Sequence, residues 1–464
     1  MGNILLVEPD YRSKFPPLGL MRISTFHRKK GDCVTFVRGT AAEIRELAWH
    51  RIYVSSLFTW ELPRTVKTIR FYQGSVETPK DLYVGGIGAS LCPDYIRDRV
   101  QCQVVPGPLD KPDMLGRHRR VVADCVPDYD LIKGSAYAYK PVDSYFCRAT
   151  VGCVRNCRFC AVPTLEPRFQ ECRPLKRQIA EIDKRYGAMQ NLVILDNNIL
   201  ASASLSRTVA DAMDAGFERG SKRNGRQRAV DFNQGIDARL ITPAIADQIT
   251  QLSLDPVRLA FDTRAMERPY RKAVKALAKR GVVEFTNYML FNFDDTPEDL
   301  YYRMRVNLEL SDDIGIRVTG FPMRYIPIRD IDRQHVAPGW RWRQLRGLQC
   351  ILHATRGLVS PNTPFFERAF GRDCEEFLEI LALPDHYIMF RNHYEKHEAR
   401  RFRQRFRRLA DTSRQELLGV LAEIHFSADR KREMSRLKRF KWFAEQHYPD
   451  GRVPRRPPSP RGQR

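Results

Sequence analysis

The first 135 residues alternate short apolar runs with longer segments whose apolar positions recur at helical spacing. The runs rich in β-branched residues are predicted strands at 4–7, 34–37, 52–55, 82–84 and 104–105. Helices are predicted at 18–30 and 63–71. Because strands and helices alternate, residues 1–135 are predicted to form a doubly wound α/β domain with a parallel sheet.

The alternation restarts near residue 140 with a longer period. Strands are predicted near 144–149, 191–196, 229–234, 257–262, 284–291 and 316–321. The helices between them are predicted at 174–186, 205–219, 242–252, 266–280 and 297–310. Six such units predict a (β/α)6 partial barrel over residues 140–330, in which active-site residues follow the carboxyl ends of the strands.

The remaining chain lacks strand patterning. Residues 335–450 are predicted to form a basic helical domain, because apolar residues such as Phe402, Phe406 and Leu409 recur at helical spacing. Residues 451–464 are mostly Pro, Arg and Gly and are predicted to be disordered.

Composition and charge narrow the functional classes. The net charge is +23, and residues 396–464 carry 20 Lys and Arg against 8 Asp and Glu, which favours a polyanionic partner or an acidic substrate. The apolar run at 4–7 is too short for a signal-peptide core, and no window is long and apolar enough to span a membrane. We therefore expect a cytoplasmic protein without a membrane partner.

Five of the 11 cysteines lie between Cys147 and Cys172, and three of them form a C-x-x-x-C-x-x-C motif. These three, Cys153, Cys157 and Cys160, follow the first predicted barrel strand and are preceded by Gly152. Three thiolates on a four-iron cluster leave one iron open to a chelating cofactor, whereas structural zinc requires four ligands. Cys147 or Cys172 would supply the fourth ligand of such a zinc site, so that alternative stays open.

The motif, with Phe159 directly before its last cysteine, resembles the signature of the radical S-adenosylmethionine (SAM) superfamily over about residues 144–325. The resemblance implies a [4Fe-4S] cluster on the three cysteines, to which SAM binds through its amino and carboxylate groups. It also implies reductive cleavage of SAM to a 5′-deoxyadenosyl radical that modifies an unknown small-molecule, peptide or RNA substrate. An external electron donor such as flavodoxin or ferredoxin would supply the electron.

The same resemblance suggests which strand ends contact SAM. Asp196, Asn197 and Asn198 stand where the family usually has a Gly-Gly-Glu-like stretch for the amino group, and they equally fit a helix-capping turn. The other implied cofactor contacts are Phe159, Gln234, Arg239, Asp262 and Thr263. Each of these residues has the alternative of an ordinary surface position.

The N-terminal domain resembles the cobalamin-binding domain of one radical SAM subclass, through Pro16 to Leu20, Val84 to Ser90 and Pro127 to Asp130. Cobalamin would then carry a methyl group between SAM and the substrate. The D-x-H-x-x-G ligand motif is absent, and His27 lies within a predicted helix, where a surface role is expected. The alternative is a retained scaffold that shapes the substrate cleft.

Two further alternatives follow from the basic C-terminus. The arginines and phenylalanines of residues 400–408 would suit RNA binding by a methylthiotransferase-type radical SAM enzyme. The simpler interpretation is an amphipathic helix that buries Phe402 and Phe406 and leaves its arginines in water. A non-catalytic, zinc-stapled nucleic-acid-binding protein is the competing class.

Overall fold

A computed structural model describes residues 2–116 and 118–452. The chain divides into two compact units, Met1–Val257 with Ile326–Gln334, and Arg258–Tyr325 with His335–Arg464. Within the predicted disordered segment, residues 453–464 lie outside the described residues. No helix in the described ranges is both long and apolar enough to cross a membrane.

The first unit opens with a five-stranded parallel sheet in the order β2-β1-β3-β4-β5. Its strands are β1 (Asn3–Glu8), β2 (Cys33–Arg38), β3 (Arg51–Ser55), β4 (Leu82–Gly85) and β5 (Gln103–Val105). The helices are α1 (Leu18–Arg28), α2 (Ala42–Arg45), α3 (Leu62–Tyr72), α4 (Ile87–Leu91) and α5 (Pro93–Arg97). All five predicted strands are confirmed.

The alternation along β1 explains why this sheet has a core on each face. Leu5 and Val7 belong to one buried apolar cluster, and Ile4 and Leu6 belong to another. Because side chains of a strand point alternately to the two faces of the sheet, both faces are covered, as a doubly wound arrangement requires.

The surface position expected for His27 is wrong. Its ring is 1% exposed, and its two nitrogens are 2.8 Å from Asp32 Oδ2 and 2.9 Å from Tyr53 Oη. Burial lowers the pKa of His27, even though Asp32 opposes the shift. The helical segment that contains His27 packs on the sheet, so its polar ring is buried with partners instead of meeting solvent.

The rest of the first unit contains a three-stranded sheet in the order β12-β9-β6, with parallel neighbours. The strands are β6 (Ser144–Cys147), β7 (Thr150–Val151), β8 (Gln170–Glu171), β9 (Asn191–Ile194), β10 (Lys222–Arg223), β11 (Arg226–Gln227) and β12 (Val230–Phe232). The helices are α6 (Val162–Leu165), α7 (Leu175–Tyr186), α8 (Leu205–Asp214) and α9 (Pro243–Ile249). The antiparallel pairs β7-β8 and β10-β11 were not predicted from the sequence.

The second unit begins with a three-stranded sheet in the order β13-β14-β15. The elements are β13 (Val257–Ala260), α10 (Glu267–Ala278), β14 (Glu284–Phe291), α11 (Pro297–Ile314) and β15 (Arg317–Arg324). All six strands predicted for the barrel therefore occur, as two sheets of three. Closure of these sheets into a partial barrel stays a prediction.

Helices account for the regular structure between residues 335 and 452. They are α12 (Trp342–Ala354), α13 (Thr363–Phe370), α14 (Cys374–Ala382), α15 (Asp385–Met389), α16 (Arg391–Tyr394), α17 (Glu398–Arg407), α18 (Asp411–Phe426), α19 (Arg430–Arg436) and α20 (Lys441–His447). Short 3-10 helices occur at Thr59–Glu61, Gln73–Ser75, Pro79–Asp81, Tyr129–Ile132, Ile199–Ala201, Ala238–Leu240, Arg264–Met266 and Pro449–Gly451. The predicted helical character of this region is confirmed.

The basic helix α17 is amphipathic. Phe402 and Phe406 are buried in the apolar core of the second unit, as predicted from their spacing. On the other side, Arg403 pairs with Glu376 at 2.6 Å, and Arg407 pairs with Glu379. The two phenylalanines are therefore committed to the core and are not presented for stacking on nucleic-acid bases.

Candidate functional site

Three polar segments lie at one edge of the sheet β12-β9-β6. The cysteine loop, residues 152–161, follows β6 and β7. Asp196 to Asn198 follow β9, and Asn233 to Arg239 follow β12. Since β9 is central and parallel to both neighbours, the carboxyl ends of all three strands share this edge. Hydrogen bonds join the three segments to one another.

The cysteine loop holds three partly buried cysteines, Cys153, Cys157 and Cys160. The backbone N–H of Arg155 donates to Cys153 Sγ over 3.4 Å, and that of Val162 donates to Cys160 Sγ over 3.5 Å. N–H groups aimed at sulfur stabilise a thiolate, and in iron–sulfur sites such bonds tune the reduction potential. Two of the three sulfurs therefore accept a hydrogen bond from the backbone of their own loop.

Gly152 shapes the entry to this loop. Its φ is +76°, and a Cβ at this position would lie 2.3 Å from the carbonyl oxygen of Arg168. Both the left-handed backbone and the close approach exclude other residues. The glycine before Cys153 is therefore required by the local chain path.

Glu166 binds the start of the same loop by hydrogen bonds. One carboxylate oxygen, Oε2, accepts hydrogen bonds from the Gly152 N–H at 2.8 Å, from Asn197 Nδ2 at 2.8 Å and from the Arg148 guanidinium. Sequence reasoning missed Glu166, because a lone glutamate on a short segment after the third cysteine belongs to no motif. Its role here is to position Asn197 and the start of the cysteine loop.

The buried Asp196 side chain hydrogen-bonds the chain just before the cysteine loop. The side chain is 2% exposed, and it accepts hydrogen bonds from the Ala149 N–H at 2.9 Å, the Thr150 N–H, and Thr150 Oγ1 at 2.7 Å. Burial raises the pKa of Asp196, although these hydrogen bonds oppose the shift. Both carboxylate oxygens are thus engaged by the chain itself, and the predicted contact with SAM stays a prediction.

Asn198 lies at the centre of the edge. Its Nδ2 is 3.6 Å from Cys153 Sγ and 3.3 Å from Asp237 Oδ2, so one amide links the cysteine loop to the segment after β12. The residue is 3% exposed, and its Oδ1 is buried without a hydrogen-bond partner. A buried acceptor without a partner is costly, and a donor group on a ligand would satisfy it.

Asp237 accepts hydrogen bonds from two arginines beside the cysteine loop. Arg155 Nε donates to Oδ2 over 3.0 Å, and Arg239 Nε donates to Oδ1 over 2.7 Å. Burial alone would raise the pKa of Asp237, but the hydrogen bonds from Arg239 and Arg155 outweigh it and lower the pKa. Arg239 also hydrogen-bonds Cys157, and its own pKa is raised, chiefly by Asp237. Cationic partners of this kind favour thiolates over thiols.

The other predicted cofactor contacts are distributed differently. Gln234 is exposed and donates to Asn233, and Phe159 is partly buried within the cysteine loop. Asp262 and Thr263 follow β13 and belong to the second unit. Within that unit the Leu290 N–H donates to Asp262 Oδ1 over 2.9 Å, while Thr263 is exposed. The structure therefore joins Asn198 and Arg239 to the cysteines by hydrogen bonds.

Cys147 and Cys172 are the two other cysteines near the cysteine loop in the sequence. Burial raises the pKa of Cys147 to about 12 and that of Cys172 to about 11. Metals bind the thiolate form, so a high thiol pKa disfavours ligation. Within residues 2–116 and 118–452, no group of three His, Cys, Asp or Glu side chains is arranged to hold a metal ion.

A large cavity lies in the first unit at the carboxyl ends of β3, β4 and β5. Its volume is about 640 Å³, and Ser55, Gly85 and Val105 line it at the three strand ends. No histidine is among its lining residues. It occupies the sheet edge where the sequence resemblance implies cobalamin, and a corrin there would have no imidazole ligand from this lining.

No protein-family model matches the chain, and no curated protein matches it.

Proposed function

We propose that this chain is a radical SAM enzyme that holds a [4Fe-4S] cluster on Cys153, Cys157 and Cys160. The observation that carries the proposal is the hydrogen-bonded edge at which Asn198 links the Cys153 thiol to Asp237 while keeping a buried, unpartnered oxygen. When bound, the cluster supplies one electron that cleaves SAM to methionine and a 5′-deoxyadenosyl radical.

The protein residues at this edge would bind and orient the polar end of SAM. Asn198 Oδ1 is the acceptor for the amino group, because it is buried beside Cys153 and has no other donor. Arg239 is the cation available to the carboxylate, because its exposed guanidinium lies beside Cys157. Asp237 holds Arg239 and Arg155 in place by hydrogen bonds.

The thiolates themselves are stabilised by groups that belong to the chain. The N–H groups of Arg155 and Val162 donate to two sulfurs, and the Arg239 guanidinium hydrogen-bonds the third. Burial raises the pKa of Cys147 to about 12 and that of Cys172 to about 11, which disfavours their thiolate forms. This disfavours either of them as the fourth ligand of a closed zinc site, and so supports three ligands with one open iron. Methyl transfer through cobalamin stays a prediction from the sequence.

The test is anaerobic reconstitution of the full-length protein with iron and sulfide, followed by reduction in the presence of SAM. We expect 5′-deoxyadenosine and a broad absorbance near the visible region in wild type. Cys157→Ala should lose both, whereas Cys33→Ala, which removes an exposed cysteine of β2, should keep both. Circular dichroism of each variant checks that folding is retained.

Asn198→Leu separates cofactor binding from cluster assembly. It removes the amide and keeps the number and branching of the side-chain heavy atoms, so iron and sulfide content should stay near wild type while the SAM concentration needed for half-maximal rate rises. A charged-group hydrogen bond is worth about 1.5–3 kcal/mol, which corresponds to a rise of about ten- to hundredfold. Wild-type protein with full iron content but no 5′-deoxyadenosine would refute the proposed reaction.

A further inference from the structure

The cavity at the carboxyl ends of β3, β4 and β5 has the size of a small-molecule site. Its volume of about 640 Å³ falls within the range of about 300–1,000 Å³ that is usual for ligand pockets. It is formed entirely by residues of the first unit. Strand carboxyl ends in a doubly wound sheet are also where ligands of such folds generally bind.

Most of the wall is apolar. Leu20 and Ile23 contribute from α1, and Leu109, Leu115 and Val122 contribute from the segment after β5. Apolar walls favour an apolar body, because water gains freedom when such surfaces meet. The bulk of any ligand here is therefore expected to be hydrocarbon or aromatic.

Arg22 interrupts this apolar wall with a positive charge. It lies on α1 between Leu20 and Ile23, and its Nε is buried with no hydrogen-bond partner. Burial, and then the nearby charge of Arg148, lower the pKa of Arg22. No ion pair of Arg22 occurs within residues 2–116 and 118–452.

The two other arginines that line the cavity are already neutralised. Arg148 pairs with Glu166, and Arg173 pairs with Glu181 at 3.0 Å. Three carboxylates also line the cavity, namely Asp110, Asp124 and Glu171. Asp124 lies 3.8 Å from Arg173, Glu171 accepts from Ser202, and none of the three forms an ion pair with Arg22 in the described part of the chain. Arg22 is thus the lining guanidinium without an ion-pair partner in the described part of the chain. It is partly buried, so it loses solvation that no counter-charge of the chain offsets.

From this combination we infer that the cavity binds an apolar molecule carrying one anionic group, a carboxylate or a phosphate, which pairs with Arg22. Such a ligand offsets the unpaired charge and covers the apolar wall at once. The site is separate from the proposed SAM contacts, and it does not depend on SAM cleavage. Val151, which lines the cavity, stands two residues before Cys153, so the ligand would lie beside the cysteine loop.

The probe is 1-anilinonaphthalene-8-sulfonate, whose fluorescence rises in apolar sites, compared with its neutral analogue N-phenyl-1-naphthylamine. Purified full-length protein should bind the sulfonate about ten- to hundredfold more tightly than the neutral compound. Arg22→Met should remove this preference and leave the affinity for the neutral probe. Arg207→Met, which removes an exposed arginine of α8, controls for the general positive charge of the protein.

Two further measurements keep the inference falsifiable if Arg22→Met does not fold. Leu109→Trp fills the cavity from a partly exposed position and should abolish binding of both probes. On wild type, decanoate and decyl phosphate should displace the sulfonate at about tenfold lower concentration than decanol, and their ranking identifies the preferred anion.

Equal displacement by decanol would overturn the inference, as would unchanged sulfonate affinity in a folded Arg22→Met variant. Displacement by hydroxocobalamin that is unaffected by Arg22→Met would assign the cavity to a corrin instead. Because the fluorescence assay needs neither iron nor SAM, its failure is distinguishable from failure of the proposed reaction.

Discussion

Acidification should destabilise the second unit through histidines buried in its helices. His386 is in α15 and His425 is in α18, and burial lowers the pKa of each from 6.5 to about 4. Burial also lowers the pKa of His447 in α20, which is 3% exposed. One ring nitrogen of each histidine is buried without a hydrogen-bond partner, so protonation would leave a further unsatisfied N–H.

The folded unit loses stability on acidification because folding lowers the pKa of these histidines. The unfolded chain binds protons as the pH falls below about 6.5, whereas the folded unit binds them only near pH 4, so stability is lost between these values. At pH 5.0, His386 and His425 each contribute a loss of about 2 kcal/mol relative to pH 7.5. The pKa of Asp385 is also lowered, but its effect falls below this window.

The loss of about 4 kcal/mol from His386 and His425 corresponds to a fall in Tm of about 10 °C between pH 7.5 and pH 5.0, and His447 adds to this fall. Differential scanning calorimetry of the full chain measures it. His386→Phe, which keeps an aromatic ring against Tyr387 and Tyr394, should remove about 2 kcal/mol of the loss, or about 5 °C of the fall in Tm. His353→Gln, at an exposed position of α12, controls for the loss of a histidine as such.

A Tm that is equal at both pH values would refute the reasoning. So would a His386→Phe variant that retains the full fall, because the ring would then not be the group that titrates. The charge of Asp385 acts on both histidines, but it does not supply an alternative source of the change, because the pKa of Asp385 is lowered to below this window.

Three further outcomes are expected. Burial raises the pKa of Glu8 to about 7 despite the hydrogen bond from Tyr139, so its stabilising contribution is lost as the pH rises from 4.5 through 7. Glu8→Gln should therefore raise Tm at pH 8 and change it little at pH 4.5. Gly152→Ala should cost at least about 1 kcal/mol from its positive φ alone, and Cys153 should then react faster with a thiol reagent. Protein mixed with hydroxocobalamin and desalted should show a corrin spectrum if the predicted cobalamin site exists; a colourless product would contradict it.

The sheets were predictable from sequence because their strands are short apolar runs with little competition from other patterns. The predicted run 4–7 lies inside β1, and the predicted run 284–291 coincides with β14. Apolar residues dominate each run, and turn residues flank it. The small antiparallel pair β7-β8 was missed, because two residues carry no periodicity. Its effect is nonetheless to frame the cysteine loop.

The site was predictable only as far as motifs reach. The cysteine spacing and the polar strand ends located the edge, but the sequence separation of 39 residues hides the bond between Asn198 and Asp237. Glu166 and Arg22 were not predicted, because their roles come from what surrounds them in space: three donors on one carboxylate, and no partner on one guanidinium. Burial of His27 was missed for the same reason.

The segment 148–151 has two sides with different neighbours. Arg148 and Val151 line the cavity, while the N–H groups of Ala149 and Thr150 are tied to Asp196. The buried Asp196 carboxylate fixes the backbone between the two lining residues, so this segment separates the cavity from the start of the cysteine loop. Residues that line the cavity from other segments, such as Leu109 and Leu115, can therefore be exchanged to alter ligand preference while the path of the chain into Cys153 is preserved. Arg148 is the exception, because its guanidinium also bonds Glu166.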